Sequence, residues 1–465
     1  MQKPNMKLLS KRIVKSLCIA VTLLCFHSVT MCHDGEKIEF ISDDEIETAL
    51  SDWLKEIFEA AGMSIKPQVV IINTLDVNAA ATYGGIVFVN AGLIIKCTKV
   101  EQLLGVLAHE TGHIAGGHLA KISAGVNEAQ VPAVASLILG GAATLLSGNP
   151  AGLLAGMAGG EHIFLRSMLR FSRTQEESAD AFALKYLEKK KWPVDGLAEF
   201  FDVLEKQYGT IQEDPYMLTH PECKTRKTKI LQFKESLKDL TLYKMSDSYT
   251  QKFERIRAKL FGFLKKPLDI IREYPESNTS FPAKYARLIS HYVRNKDSSK
   301  MTRVLEMLES LKTDSPKDPY LYEMQGQFLF ESGRIDECIE PLRKAVEIQP
   351  KALLIKLTLA HALIEKNSGS SNSDNLSEAL RYLNNVVDQN PQIPFAWKLM
   401  GMAYGKQMKS NEASACFAEE AYLSQTLKLA KMHAERGKHC NHTPLKKRSE
   451  DILQQIKQKE EDSKQ

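Results

Sequence analysis

At 465 residues and 43% hydrophobic composition, the chain can bury more than one core. Its formal charge of +4 belongs to the leader: Lys3, Lys7, Lys11, Arg12 and Lys15 precede the first acidic residue, Asp34, and the rest holds 56 basic against 57 acidic residues. That balance excludes the concentrated basic surface of a nucleic-acid binder. Eight scattered cysteines, two of them (Cys18 and Cys25) in the leader, and no CxxC pair exclude a disulfide framework of the small-domain kind.

The leader, MQKPNMKLLSKRIVKSLCIAVTLLCFHSVTMC, sets a basic segment before an apolar run from Leu17 to Cys32. This predicts a secretory signal over residues 1–32 and export. An anchoring helix is the alternative, and the run is short for a bilayer span. Residues 43–62 carry Ile46, Leu50, Trp53, Leu54, Ile57 and Phe58 at helical spacing, closed by Gly62, and read as an amphipathic helix. PQVVIIN (67–73) and YGGIVFVNAGLI (83–94) read as strands, the second as a cleft edge to which an extended peptide adds through its backbone. Helices follow over about 100–117 and 173–190. Between them, residues 131–160 hold no charge, but SGNP divides them into arms of about 17 and 9 residues, unsuited to spanning. The expectation there is short helices that lie against the active-site face or touch lipid without crossing.

The C-terminal part repeats. Tyr322, Gly326, Leu329, Cys338 and Leu342 match Trp397, Gly401, Tyr404, Ala413 and Phe417 at one offset. Small residues fall where paired helices cross and large ones fill the gaps, which resembles the tetratricopeptide pattern and predicts a solenoid with a protein-binding concave face. A further repeat starts near Ala352, and weaker helix pairs precede, from about 267 to 313. The repeats are assigned to 263–437 and a polar, frayed or loosely helical tail to 438–465.

The chemistry lies in HETGHIAGGH (109–118). His109 and His113 are one helical turn apart and can reach one zinc, while Glu110 beside them can take a proton from water. His118 sits five residues beyond His113, about 140 degrees round a continued helix, and reads as a packing or hydrogen-bonding residue unless Gly116-Gly117 breaks the helix. Candidates for a third ligand are the acidic residues of EESAD (176–180), His162 and His220. Glu176, Ala179, Asp180 and Ala183 share a face, the alanines allowing close approach to the HETGH helix. Glu176 can then ligate, and Asp180 can hold a ligand histidine by its outer N–H. Glu177 points away toward solvent.

Four stretches, NAAATYGGIVFVNAGL (78–93), HETGHIAGGH, FSRTQEESADAFALKYL (171–187) and THPECKTR (219–226), resemble the M48 metallopeptidases. The resemblance implies an α+β zincin-like metallopeptidase domain, here 33–262, followed by the all-α tetratricopeptide solenoid. It puts the third zinc ligand of E-x-x-A-D on Glu176 and the motif's aspartate on Asp180, with one Zn2+ per chain. It also gives some site role to His220, followed by Pro221, and to Arg226: His220 either displaces water from zinc and switches the enzyme off or stabilises the transition state. Arg173 and His162 are further candidates for oxyanion donors. Export signal, M48 domain and repeats together are similar to the periplasmic branch in Gram-negative bacteria. This implies unfolded or assembling outer-membrane proteins as substrates, and the barrel-assembly machinery as a partner. The competing reading is an assembly chaperone or adaptor with a structural or residual metal site, and intact Glu110 argues against it because a structural zinc has no use for that base.

Overall fold

In the computed structural model, the residues described are 29–33, 36–118, 172–208, 216, 220, 223–294, 298–366 and 373–462. Five strands form one sheet in the order β1-β2-β3-β5-β4: β1 Val29–His33, β2 Glu36–Ile41, β3 Gln68–Ile72, β4 Ala79–Ala81 and β5 Ile86–Asn90. Only β3 and β5 are parallel. The leader boundary expected at Cys32 falls inside β1, where Val29 pairs with Phe40.

The strand expected at the cleft edge is interior. β5 is flanked by β3 and β4 and all five of its residues are buried, as an apolar run covered on both faces should be. Among the described residues the edge is β4, three alanines. After Asn90 the chain leaves the sheet as a short helix, α2 (Ala91–Lys96), instead of extending the strand to residue 94.

Helix α1 (Asp44–Ala60) starts at Asp43, whose Oδ1 accepts the Ile46 N–H at 3.0 Å. It buries Ile46, Leu50, Trp53, Leu54, Ile57 and Phe58 in the core. Helix α3 (Val100–Ala115) crosses the centre of this domain and is buried at nearly every position to His113. Two glycines let its neighbours in. A Cβ on Gly105 would lie 2.5 Å from Leu197 N in α5 (Gly196–Tyr208), and one on Gly112 would lie 2.5 Å from Ala179 O in α4 (Arg173–Lys190). A glycine inside a helix costs about 1 kcal/mol relative to alanine. Here that cost is the condition for bringing α4 against α3.

Helices α6 (Cys223–Ser236) and α7 (Asp247–Leu264) complete the domain, so the boundary expected at residue 262 runs through α7. Short α8 (Pro267–Glu273) leads into helical hairpins: α9 (Phe281–Arg294) with α10 (Ser298–Asp314), α11 (Pro319–Glu331) with α12 (Ile335–Ile348), α13 (Leu353–Lys366) with α14 (Ser373–Gln389), and α15 (Pro394–Lys406) with α16 (Ser410–Leu423). The small-for-large logic of the repeat is visible at the crossings. A Cβ on Gly326 would meet Leu342 at 2.4 Å, and one on Gly401 would meet Phe417 at 2.6 Å. After α17 (Leu427–Gly437), the segment expected to be a frayed or loosely helical tail holds α18 (Thr443–Asp462), packed through buried Leu445, Ile452 and Ile456.

The helical hairpins dock on the start of α1. Asp44 Oδ2 accepts the Ile355 N–H in the first turn of α13 at 3.0 Å, so a carboxylate of one domain serves a helix N-terminus of the other. Beneath it Lys259 of α7, 2% exposed, reaches Asp43 Oδ2 at 2.6 Å and Glu45 Oε2 at 3.0 Å. Glu45 also accepts the Tyr285 hydroxyl of α9 at 3.0 Å and pairs with Arg255, which bridges to Asp318 beside α11.

Among the described residues no helix is long and apolar enough to cross a membrane. Residues 131–160, for which lipid contact was expected, and His162 lie outside the described residues.

Candidate active site

Three elements deliver the site. Helix α3 carries His109, Glu110 and His113, all fully buried. Helix α4 is fixed at its first turn by a capping box: Ser172 Oγ accepts the Gln175 N–H and Gln175 Oε1 accepts the Ser172 N–H at 2.8 Å. The next residue is Glu176, so the cap sets where its carboxylate enters the core. His220 supplies the third approach.

His109, His113, Glu176 and His220 converge, with one ligand atom from each lying within 4.8 Å of the others. His109 Nε2 is 3.0 Å from His113 Nε2 and 3.2 Å from His220 Nδ1. Glu176 oxygens lie 3.4 Å from His109 Nε2, 3.3 Å from His113 Nε2 and 3.2 Å from His220 Nδ1.

The outer nitrogens show what these inner atoms are. His109 Nδ1 lies 2.8 Å from Asp180 Oδ1, and a carboxylate only accepts, so a proton sits on Nδ1. Against burial and Arg226, the Glu176 and Asp180 carboxylates push His109 up to about 9, so its Nε2 also carries a proton, directed toward Glu176. His113 Nδ1 lies 2.9 Å from His118 Nδ1, and in the tautomer that donates there its Nε2 presents a lone pair. The Nε2 atoms of His109 and His113, His220 Nδ1 and the Glu176 carboxylate thus face one another as a set that could hold a metal ion, which would take the place of the proton on His109 Nε2. Zinc ligands at about 2.0–2.1 Å in a tetrahedron stand about 3.4 Å apart, close to the spacing of these donors.

His118 therefore stays out of the donor set but is not remote from it. Gly117, with φ of +62°, turns the chain after α3 and brings His118 back over the outer nitrogen of His113. Its ring lies against Gly116, where a Cβ would be 2.5 Å from His118 Nε2. Glu177 is exposed and pairs with Lys229 at 2.7 Å. Arg173 is exposed on the first turn of α4.

Arg226, on α6 and 1% exposed, ties the carboxylates together. Its Nε and Nη2 donate to the two oxygens of Asp180 at 2.7 and 2.8 Å, and Nη1 reaches Glu176 Oε2 at 2.6 Å. Burial alone would raise both carboxyls. The His220 and His109 imidazoles instead hold Glu176 far below the usual carboxylate range, and Arg226 holds Asp180 down at about 2. Both remain anionic. Replacing Asp180 with Asn should weaken zinc affinity by about 10–100-fold, as loss of an outer partner to a metal-binding histidine does. Competition with a chelator measures this, and wild-type affinity in that variant would remove the orienting role.

Glu110 is set apart from the donors. Its Oε2 accepts the Ala81 N–H of edge strand β4 at 3.1 Å, and its Oε1 lies 3.5 Å from His220 Nε2 with no hydrogen-bond partner among the described residues. Burial pushes this carboxyl up, against the lowering effect of His220 and His109. A carboxylate held by one oxygen, with the other unengaged and its proton affinity raised, is suited to receive a proton and pass it on. Zinc, when bound, supplies the Lewis acid for the scissile carbonyl.

The comparisons with known proteins agree with this chemistry. Residues 45–234 match Peptidase family M48. The chain is 22% identical over 354 residues to the beta-barrel assembly-enhancing protease of Escherichia coli (strain K12), covering 75% of this chain and 69% of that protein. It is 32% identical over 182 residues to the mitochondrial metalloendopeptidase OMA1 of Schizosaccharomyces pombe, covering 38% of this chain and 50% of that one. With metalloprotease LoiP of Escherichia coli (strain K12) it shares 32% identity over 177 residues, 36% of this chain and 66% of LoiP. The chain carries a peptidase M48 domain and is a metalloendopeptidase whose cofactor is zinc.

Proposed function

We propose that the chain is a periplasmic zinc endopeptidase that cuts unfolded or assembling outer-membrane proteins, recruited by the helical repeats. In this reading His109, His113 and Glu176 hold the zinc, Asp180 and Arg226 orient them, and Glu110 takes the proton of the attacking water and gives it to the leaving amine. The observation that carries the enzymatic part is the buried Glu110 carboxylate, anchored through one oxygen beside four converging donors that could hold a metal ion. The outer-membrane assignment is supported by the name of the Escherichia coli relative, which is similar over most of this chain. The repeats suit recruitment because stacked hairpins present an extended surface, and the barrel-assembly machinery is the partner this reading names.

His220 gives the reading a resting state. Its Nδ1 joins the donors while its Nε2 faces Glu110, so the ring stands between the metal donors and the base, where the attacking water belongs. A closed site suits a protease surrounded by proteins it could damage. His220→Ala is expected to cut casein and an unfolded outer-membrane barrel protein severalfold faster than wild type, with zinc retained. Unchanged cleavage and zinc affinity would remove the switch. Cleavage of casein with no cleavage of the unfolded barrel protein would remove the substrate class.

A further inference from the structure

His220 is held by a residue that no motif points to. The Tyr216 ring stacks on the His220 imidazole, with centroids 4.6 Å apart and planes 28° from parallel. The His220 N–H donates to the Tyr216 carbonyl at 2.8 Å, so backbone and ring fix the same neighbour. Tyr216 is fully buried, and Phe200 of α5 meets it edge-on at 5.3 Å and 89°. Helix α5 is itself seated on α3, where a Cβ on Gly196 would lie 2.0 Å from Glu101 O. A continuous stack thus runs from the helix that carries HETGH through Phe200 and Tyr216 to the fourth donor.

Stacking removes a freedom that matters at this site. An imidazole lying on a ring face can slide or turn in its own plane, but it cannot swing out of that plane without losing the contact. In the observed plane Nδ1 faces His109 and Glu176 while Nε2 faces Glu110. We infer that Tyr216 is a positioning residue that holds His220 in the donor set and so sets how often the site is closed. The inference rests on the reading of His220 as the switch.

The test uses the full chain with Tyr216→Ala, Tyr216→Leu and Tyr216→Phe, alone and in the His220→Ala background. Leu fills most of the space without offering a ring face, and serves if Ala fails to fold. Two readouts are taken: casein cleavage by the zinc form and the visible spectrum of the cobalt(II)-substituted form, which reports the donors around the metal. An aromatic pair of this kind corresponds to about 2- to 10-fold in an equilibrium. Tyr216→Ala or Leu should raise casein cleavage by that factor and move the cobalt spectrum toward that of His220→Ala, whereas Tyr216→Phe should match wild type. In the His220→Ala background the Tyr216 substitutions should add nothing. If His220→Ala alters cleavage and spectrum while Tyr216→Leu matches wild type, or if Tyr216→Leu has the same effect with and without His220, the positioning role is overturned and the switch stands. If His220→Ala alters neither, the switch itself fails, and the role of Tyr216 fails with it.

Discussion

Glu110→Gln should retain one zinc per chain and lose about 10²- to 10⁴-fold in the rate of peptide cleavage, the contribution of a positioned acid–base group. The substitution is nearly isosteric, and the amide oxygen can still accept the Ala81 N–H that anchors the side chain at 3.1 Å. What is lost is the capacity to take a proton at Oε1. Glu110 is not among the converging donors, so metal content should not change. Because the side chain is fully buried, no solvent carboxylate can stand in for it. Zinc content and casein cleavage measured on the same sample decide the matter: wild-type cleavage by a zinc-loaded variant would assign the proton transfer elsewhere.

The second large effect is on stability. Lys259→Met removes the cation that pairs with Asp43 and Glu45 but leaves those carboxylates in place, 6% and 5% exposed. Breaking a buried pair from one side costs about 3–5 kcal/mol; here Glu45 keeps Arg255, so Asp43 is the carboxylate left without its cation. The unfolding midpoint in urea should fall accordingly. Adding Asp43→Asn should restore part of the loss, since Asn removes the stranded charge and still caps α1. The damage should also reach the interface between domains. Asp44, the next residue, caps α13, so loosening the start of α1 should expose the linker region around α7 and α8 to trypsin before either domain is cut internally. A variant with wild-type midpoint and digestion pattern would show that Lys259 does not hold the two parts together.

Much of the site could be read in the sequence because its pieces are helical and local. The i, i+4 pair His109 and His113 lies on one α3 face, and Glu176 and Asp180 share a face of α4 by the same arithmetic. Gly112 and Ala179, the small residues read as a close approach, are where the two helices touch. What the residues left open was carried by long-range contacts. In the sequence His220 is a candidate with two alternative roles; it stands 44 residues from Glu176 and meets the donors through packing that no period encodes. The stacking of Tyr216 had only its i−4 spacing to His220 as a signal. His118 reads in the sequence as a packing or hydrogen-bonding residue, with Gly116-Gly117 as the place where the helix could break; the left-handed Gly117 turns the chain there and returns His118 to His113.

The fold shows the same division. Helix periodicity located α1, α3, α4 and the hairpins, and the matched glycines at 326 and 401 fall at real crossings. The reading of β5 as an edge failed because a run such as IVFVN is apolar on both faces, which belongs to a covered strand. The tail was read from its polar composition. Leu445, Ile452 and Ile456 in fact fall at helical spacing along α18, and a narrow apolar stripe is enough to seat a terminal helix on its neighbours.

The central claim, hydrolysis by one zinc and one carboxylate, is tested most directly by adding zinc stepwise to the stripped chain and following casein cleavage. Cleavage should rise from zero and level off at one zinc per chain. Glu110→Gln, taking up the same single zinc, should stay near zero throughout. Cleavage by the stripped chain, or a rise in Glu110→Gln that follows the wild type, would contradict the account.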